Sequence, residues 1–393
     1  MTHPKLVEAM SRPGFYPHRP PSVQLVQTHI SFVFIAGDRV YKVKKAVDFG
    51  FLDFTTLDKR KHFCEEELRL NRRLAPDAYL EVAAIGEDAA GTPVLGGGRP
   101  VEYAVVMRKL PPERMLKRLL AEGKAGTEAM DAIAAKVADF HRRAETGGRI
   151  DATGGIGTIR HNHDENFEQT ARYIGLTIPR ERYDFLRGWV NRFLERERPL
   201  FEKRVADHRI RDCHGDLHAE HICLADGIVI FDCIEFNERF RFGDVAAEAA
   251  FLAMDLDYNG YPDHARAFVE AYVRHSGDEE VRRLLDFYRC YYAYVRGKVT
   301  SFRLDDAHIG SADREAAARA ASRYFDLAFA YAARPAGKTL ILVAGLMGTG
   351  KSVFARALAP LIGAPVVQTD AVRKEMLRIP ASEHRYEAFG EGI

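Results

Sequence analysis

A chain of 393 residues, 47% hydrophobic and 29% charged, is too apolar to stay disordered and longer than one ordinary core requires, so two domains, or a two-lobed domain with a piece of another, are expected. Its 57 Lys and Arg nearly cancel its 56 Asp and Glu, which excludes a global field drawing it to nucleic acid or an anionic membrane; a charged ligand has to be held locally. No stretch approaches the roughly 20 apolar residues that span a bilayer, Met1 to Pro21 lacks the apolar core of a secretory leader, and five dispersed cysteines (Cys64, Cys213, Cys223, Cys233, Cys290) without a C-x-x-C pair read as reduced thiols, so a soluble cytoplasmic protein is expected.

In chain order, Ser31 to Ile35 and Val40 to Lys44 read as strands joined by a tight turn at Gly37-Asp38, a hairpin that places Lys42 and Lys44 on one face. A helix is expected over Leu57 to Leu74, where Phe63, Glu67, Leu70 and Leu74 recur at helical spacing and Glu67 interrupts an apolar stripe. Strands around Leu80 to Ile85, Thr92 to Leu95 and Val101 to Met107 complete a small β-rich lobe over residues 1–110, closed by the stiff Leu110-Pro111-Pro112. Residues 111–333 then read as helical: Met130 to Glu145, Tyr183 to Arg204, Val245 to Leu256, His264 to His275, Glu279 to Ser301 and Ala312 to Ala333. Between the first two lies the Gly- and His-rich stretch Gly147 to His163, expected as a long loop of the kind that often carries function. A linker at 334–338 precedes a further domain over 339–393.

The chemistry concentrates in Cys213-His214-Gly215-Asp216-Leu217-His218-Ala219-Glu220-His221, a polar loop followed by the apolar strand Gly227 to Phe231 and then Asp232. The hairpin returns two carboxylates to one end, and phosphoryl transfer needs such a pair: one to orient the acceptor hydroxyl, one to hold the metal that bridges the nucleotide phosphates. The same segment offers a second reading, because His214, His218 and His221 with Cys213 and Cys223 are potential zinc ligands, though without the spacing of a standard structural site.

The order His214-Gly215-Asp216, a ligand position five residues on, then Asp232, resembles the catalytic loop and metal-binding acid of aminoglycoside phosphotransferases and related choline-type kinases. The resemblance implies Asp216 as catalytic base within a loop opened by His214, Asp232 as magnesium ligand, Lys42 as the lysine on the nucleotide phosphates and Glu67 as the helix acid paired with it. Gly243-Asp244-Val245-Ala246 resembles the downstream aspartate that braces the catalytic loop, and Ala138-Asp139-Phe140-His141 the central helix. Where that family has Asn this chain has His221, and an imidazole suits transition metals better than magnesium. Thr28 to Phe34 also lacks the glycines of a phosphate-covering loop. Taken singly, Lys42 or Glu67 would pass for surface charges; the ordered set carries the reading.

A second constellation follows the linker. The apolar run Thr339 to Ala344 reads as a buried strand, and Gly345-Leu346-Met347-Gly348-Thr349-Gly350-Lys351-Ser352 with a helical pattern to Leu361 is G-x-x-x-x-G-K-S in strand–loop–helix context. Gly345, Gly348 and Gly350 would let backbone N–H groups wrap a phosphate, Lys351 would reach the terminal phosphates, and Ser352 would offer a hydroxyl to magnesium. A strand at Pro365 to Gln368 leads to Asp370 and Arg373, which resemble the hydroxyl-facing acid and phosphate-facing arginine of small P-loop kinases. This half reads as truncated, too short at Ile393 to enclose a nucleotide alone.

Across the chain the pattern is similar to bifunctional proteins that join an aminoglycoside phosphotransferase-like domain to a P-loop ATP-binding domain, and Asp232-Cys233-Ile234-Glu235-Phe236-Asn237 strengthens that match. The expected fold is therefore α+β, two-lobed and protein-kinase-like, followed by the start of an α/β P-loop NTPase domain. The expected activity is transfer of a γ-phosphate from ATP, with Mg2+ or Mn2+ at Asp232 and His221, to a hydroxyl of an aminoglycoside, sugar or amino alcohol, with neither nucleic acid nor membrane as partner. The competing expectation is a non-catalytic module that senses nucleotide or recognises substrate for the P-loop half.

Overall fold

The computed structural model describes residues 4–306, 309–334, 340–346, 348–362, 364–376 and 380. It divides into two compact units, one ending at Ala328 and one beginning at Phe329.

The first unit opens with α1 (Pro4–Met10) and a six-stranded antiparallel sheet of β1 (Val23–Gln27), β2 (Ser31–Ala36), β3 (Arg39–Lys44), β4 (Tyr79–Glu87), β5 (Pro93–Leu95) and β6 (Arg99–Arg108), in spatial order β1-β2-β3-β6-β4-β5. The expected hairpin is β2–β3, turned at Gly37 with φ +69°, and Lys42 lies opposite Val33 and Lys44 opposite Ser31. Strand alternation sorts the side chains. Phe34, Tyr41, Val43 and Ala104 pack with Leu6 and Met10 of α1 on one face, and Lys42 and Lys44 take the other, where α2 (Leu57–Asn71) packs through Cys64 on Tyr79 and Val105. The Thr56 hydroxyl caps α2, accepting from the Lys59 N–H at 3.2 Å, and fixes where Glu67 falls.

The second lobe of this unit follows with α3 (Leu116–Ala121), α4 (Thr127–Arg143), α5 (Arg149–Thr153), α6 (Ile156–Thr170), α7 (Arg180–Arg196) and α8 (Arg198–Ala206). Then come β7 (Ile210–Asp212), the hairpin β8 (Ile222–Ala225) and β9 (Gly227–Ile230), α9 (Glu238–Arg241), β10 (Phe242–Asp244), and α10 (Val245–Tyr258), α11 (Pro262–Ser276), α12 (Val281–Phe302) and α13 (Ser311–Ala332), the last turn of which lies past the boundary at Ala328. Two ladders frame the central loop: β7 pairs antiparallel with β10, and β8 with β9, Ile222 opposite Ile230. Helix α10 is buried along nearly its whole length, from Val245 to Leu256. This is the two-lobed α+β arrangement expected from the sequence.

Two expectations need correction. Gly147 to His163 is not one long loop: its glycine pairs punctuate it, and α5 and most of α6 lie within it. Tyr183 to Arg204 is not one helix, because Pro199 in the first turn of α8 cannot donate to the preceding turn and the chain breaks at Glu197.

The second unit contains α14 (Lys351–Ile362) and α15 (Thr369–Met376). Neither expected strand forms among the described residues: 340–346 and 364–368 are irregular, and Thr339 lies outside them. A strand needs a ladder partner, and without one Leu340 and Leu342 are both 82% exposed. The α/β arrangement expected there is therefore not present among the described residues. Across those residues no helix is long and apolar enough to cross a membrane.

Candidate active site

The loop from Cys213 to His221 and the turn at Asp232 are held by backbone contacts that their own sequence supplies. The buried His214 ring lies 3.0 Å from the Phe231 carbonyl through Nε2 and accepts the Asp216 N–H at Nδ1, 3.3 Å. It must therefore carry its proton on Nε2, and burial lowers its pKa to about 4, leaving it neutral. Both ring nitrogens are committed to the backbone, so His214 shapes the loop. Gly215 has φ +86°, and a Cβ there would sit 2.8 Å from the Phe240 carbonyl oxygen. Gly215→Ala is thus expected to destabilise the protein by at least about 1 kcal/mol, read as a lower denaturation midpoint; an unchanged midpoint would refute the contact.

Asp216 and Asp232 come together through His221. Its Nδ1 lies 3.0 Å from the Asp216 carbonyl oxygen and 3.5 Å from Asp216 Oδ2, and its Nε2 lies 3.5 Å from Asp232 Oδ2. Asp232 adopts φ +62°, a left-handed conformation uncommon outside glycine, and its N–H donates to the Tyr79 hydroxyl at 3.2 Å. Burial would raise the Asp216 carboxyl, but the His218 imidazole and the nearby His221 and Arg296 charges outweigh it and hold it at about 2. Asp232 is likewise lowered, burial being overcome by Lys42 and His221. His218 in turn is raised: burial disfavours its cation, and Asp216 more than compensates.

From the sheet, Lys42 Nζ reaches Glu67 Oε1 at 2.9 Å and Asp232 Oδ1 at 2.8 Å. Lys44, fully buried, donates to Glu67 Oε2 at 2.7 Å and pairs with Glu235. Two ammoniums thus face three carboxylates, so Lys42 is raised and Glu67 lowered by their mutual attraction despite burial. The sequence pointed to Lys42 and Glu67 but not to Lys44 or Glu235, although their signals, the i, i+2 spacing on β3 and the Asp232-x-x-Glu235 step, are present.

The loop's brace is also distributed differently from the expectation. Asp244 caps α10, accepting from the Ala246 N–H at 2.8 Å, and binds the fully buried Arg204. The residue that grips the loop is Glu248, one turn on. Its Oε1 accepts the N–H groups of His214 and Gly215, each at 2.7 Å, and Oε2 lies 2.7 Å from His141 Nε2, whose other nitrogen meets the Tyr272 hydroxyl at 2.7 Å. The zinc set is not assembled: Cys213 stands with His141 and Glu248, His218 and His221 with Asp216, and Cys223 with neither.

The donor set does fit a divalent cation. His221 Nε2 and Asp232 Oδ2 stand 3.5 Å apart, and a neutral His221 with its proton toward the Asp216 carbonyl would turn a lone pair to a cation shared with that carboxylate. In place of a glycine-rich loop, the β1–β2 turn is closed by the Thr28 hydroxyl, which accepts from the Ser31 N–H at 2.9 Å.

In the second unit Gly345, Gly348 and Gly350 have φ of +157°, +80° and +83°, and Lys351 Nζ donates to the carbonyls of Gly345 at 2.8 Å and Leu346 at 2.6 Å. Ser352 lies in the first turn of α14, and Asp370 and Arg373 fall on α15; the Asp370 side chain is outside the described residues.

The chain aligns over 357 residues, at 35% identity, with the uncharacterized protein Rv2004c of Mycobacterium tuberculosis, spanning 91% of this chain and 69% of that protein; Mb2027c of Mycobacterium bovis aligns identically. Its structure is similar to a choline/ethanolamine kinase family protein from Mesorhizobium loti (TM-score 0.47, 14% identity, 84% of this chain and 99% of that one) and to a glucosamine kinase (TM-score 0.43, 16% identity, 77% and 75%). Residues 38–290 match the phosphotransferase enzyme family, a span that runs from the β2–β3 turn through the Glu248 brace, and the chain belongs to that family.

Proposed function

We propose that the first unit transfers the γ-phosphoryl group of ATP to a hydroxyl of a small molecule. The observation that carries this reading is His221 standing 3.5 Å from each of two carboxylates, Asp216 and Asp232, with Lys42 tying Asp232 to Glu67. Phosphoryl transfer asks a protein mainly to position groups and balance charge. Asp216, kept ionised, orients the acceptor hydroxyl and takes its proton. Lys42 is placed to move from Asp232 to the nucleotide phosphates, while Lys44 keeps Glu67 and Glu235 fixed beneath it. His214 and Glu248 are positioning residues that hold the loop. Asp232 and His221 would hold the divalent cation, which when bound neutralises charge on the nucleotide phosphates; a mixed nitrogen–oxygen set suits Mn2+ as well as Mg2+.

We also propose, following the sequence pattern, that Gly345 to Ser352 is a second phosphate-binding segment, with residues 339–393 forming a domain apart from 1–110 and 111–333. Its three positive-φ glycines and the inward-folded Lys351 are consistent with that reading.

The test is ATP turnover by the whole chain with Mg2+ and with Mn2+. Asp232→Asn is expected to lower turnover by about 10²-fold or more, whereas Lys351→Ala should leave first-unit chemistry in place. Nucleotide binding without turnover in the unmodified protein would instead favour a sensing module.

A further inference from the structure

Beside Asp216 and Asp232 lies a cavity of about 760 Å³, roofed by Phe49 and Phe51 of the β3–α2 loop and walled by α6, α9 and α12. Its charges are unequal. The acids that line it are already engaged: Glu165 pairs with Arg239, Glu235 with Lys44, Asp244 with Arg204 and Glu248 with His141, leaving only Asp216 and Asp232, which the chemistry uses. On the basic side, Lys298 has no carboxylate in ion-pair contact among the described residues; it donates to the amide oxygens of Asn166 at 2.6 Å and Gln169 at 2.7 Å. Burial lowers its ammonium to about 8, with Glu165 opposing and Arg239 adding to the shift. Arg296, also on the lining, stands 5.8 Å from the Tyr324 ring; burial would lower its pKa, but Tyr324, Asp216 and Asp255 more than offset it.

Three lining atoms are buried without a hydrogen-bond partner among the described residues: Arg239 Nε, Asn162 Oδ1 and His163 Nε2, on a His163 that is 5% exposed. Buried polar atoms are rarely left unpaired, so these point to a polar ligand. The mouth, by contrast, is aromatic: Phe51 stands 6.0 Å from Phe236 and 6.2 Å from Phe240.

We propose that the acceptor bound here is an apolar-bodied hydroxyl compound bearing an acidic group, carboxylate or phosphate, held by Lys298 and Arg239, and that it is not a polycationic amino sugar. The inference rests on the kinase reading and names its substrate class. A polyamine would bring its ammoniums against Lys298, whose partners are neutral amide oxygens, while four of the six lining carboxylates are already paired and the other two, Asp216 and Asp232, are engaged by His218, His221 and Lys42; like charges brought together reject a ligand as strongly as good contacts select one.

The probe is pyridoxal 5′-phosphate, an aromatic aldehyde with an acidic group, compared with pyridoxal, which lacks the phosphate. Each condenses with an unprotonated lysine, and borohydride traps the imine, so labelling of Lys298 is read by peptide mass spectrometry on the whole chain. Pyridoxal 5′-phosphate is expected to label Lys298 at least tenfold faster than pyridoxal, Arg239→Met to erase that preference, and kanamycin to give no protection. Equal labelling by both aldehydes, protection by kanamycin, or no labelling of Lys298 would each overturn the proposal. Because the readout needs neither ATP nor turnover, its failure is separate from loss of the kinase reading, which Asp232→Asn tests.

Discussion

Asp216→Asn is expected to lower ATP turnover by about 10²- to 10⁴-fold, the range over which a positioned acid–base group contributes, while leaving nucleotide affinity within a few-fold. The amide keeps the size of the side chain and its place between His218 and His221, so what is lost is charge and proton acceptance. A carboxylate held at about 2 is a weak base at neutral pH, so its main work is orienting the hydroxyl and stabilising charge as the proton departs late. It follows that Asp216 gives no acid limb to the turnover profile between pH 5 and 8, as order-of-magnitude bounds around the imidazole range; a limb there points to His218, whose cation Asp216 favours. The linkage signs are opposite for the two neighbours. The depressed Asp216 contributes stability above its unfolded value that is lost as pH falls through the folded one, and the raised His218 contributes stability below its unfolded value that is lost as pH rises through the folded one. In Asp216→Asn the His218 titration should therefore move downward, observable by NMR. Turnover kept within threefold of the unmodified protein would remove Asp216 from the mechanism.

The largest stability effect is expected at Arg204. Its guanidinium is fully buried, with Nε and Nη2 each 2.6 Å from an Asp244 oxygen and Nη1 and Nη2 at 3.0 and 2.9 Å from Asp278. Among the described residues Arg204 is the one cation this close to both carboxylates, Arg209 Nε lying 3.8 Å from Asp278 alone, so Arg204→Met leaves two buried acids short of a counter-charge, a change of about 3–5 kcal/mol, to be read from the urea midpoint. Because Asp244 also caps α10, and α10 carries Glu248 to the catalytic loop, turnover should fall along with stability. Adding Asp244→Asn and Asp278→Asn to Arg204→Met should restore part of the loss, since uncharged side chains need no counter-ion and Asn still caps a helix. A single Arg204→Met with an unchanged midpoint would show that the network contributes little.

The parts of this molecule that were legible from sequence are those fixed by short spacings. Strand alternation alone puts Lys42 and Lys44 on one face, and the length of the β8–β9 hairpin alone returns Asp232 to Asp216. What escaped depends on distance or on the cavity. Lys44 meets Glu235 across 191 residues, which no window sees. The start of helix α6, up to His163, reads as loop because of the four residues the helix buries only Phe167 is apolar, His163, Asn166 and Thr170 being polar, so the apolar stripe that announces a helix is faint. Asp244 and Glu248 lie one helical turn apart, and spacing does not say which of them reaches the loop. The apolar run at 340–344 satisfies the pattern of a buried strand, yet pattern specifies a strand only where a neighbouring strand pairs with it.

The buried lysine pair has a bearing on how the chain is made. Until residue 235 has left the ribosome, Lys42 and Lys44 share Glu67 alone among the carboxylates they pair with, and the β-rich lobe holds one ammonium in excess although Lys44 ends fully buried. An uncompensated buried charge is too unfavourable for a small sheet with one helix to carry. The first lobe alone is therefore expected to leave Lys44 in water, and to close once Asp232 and Glu235 arrive from the other side.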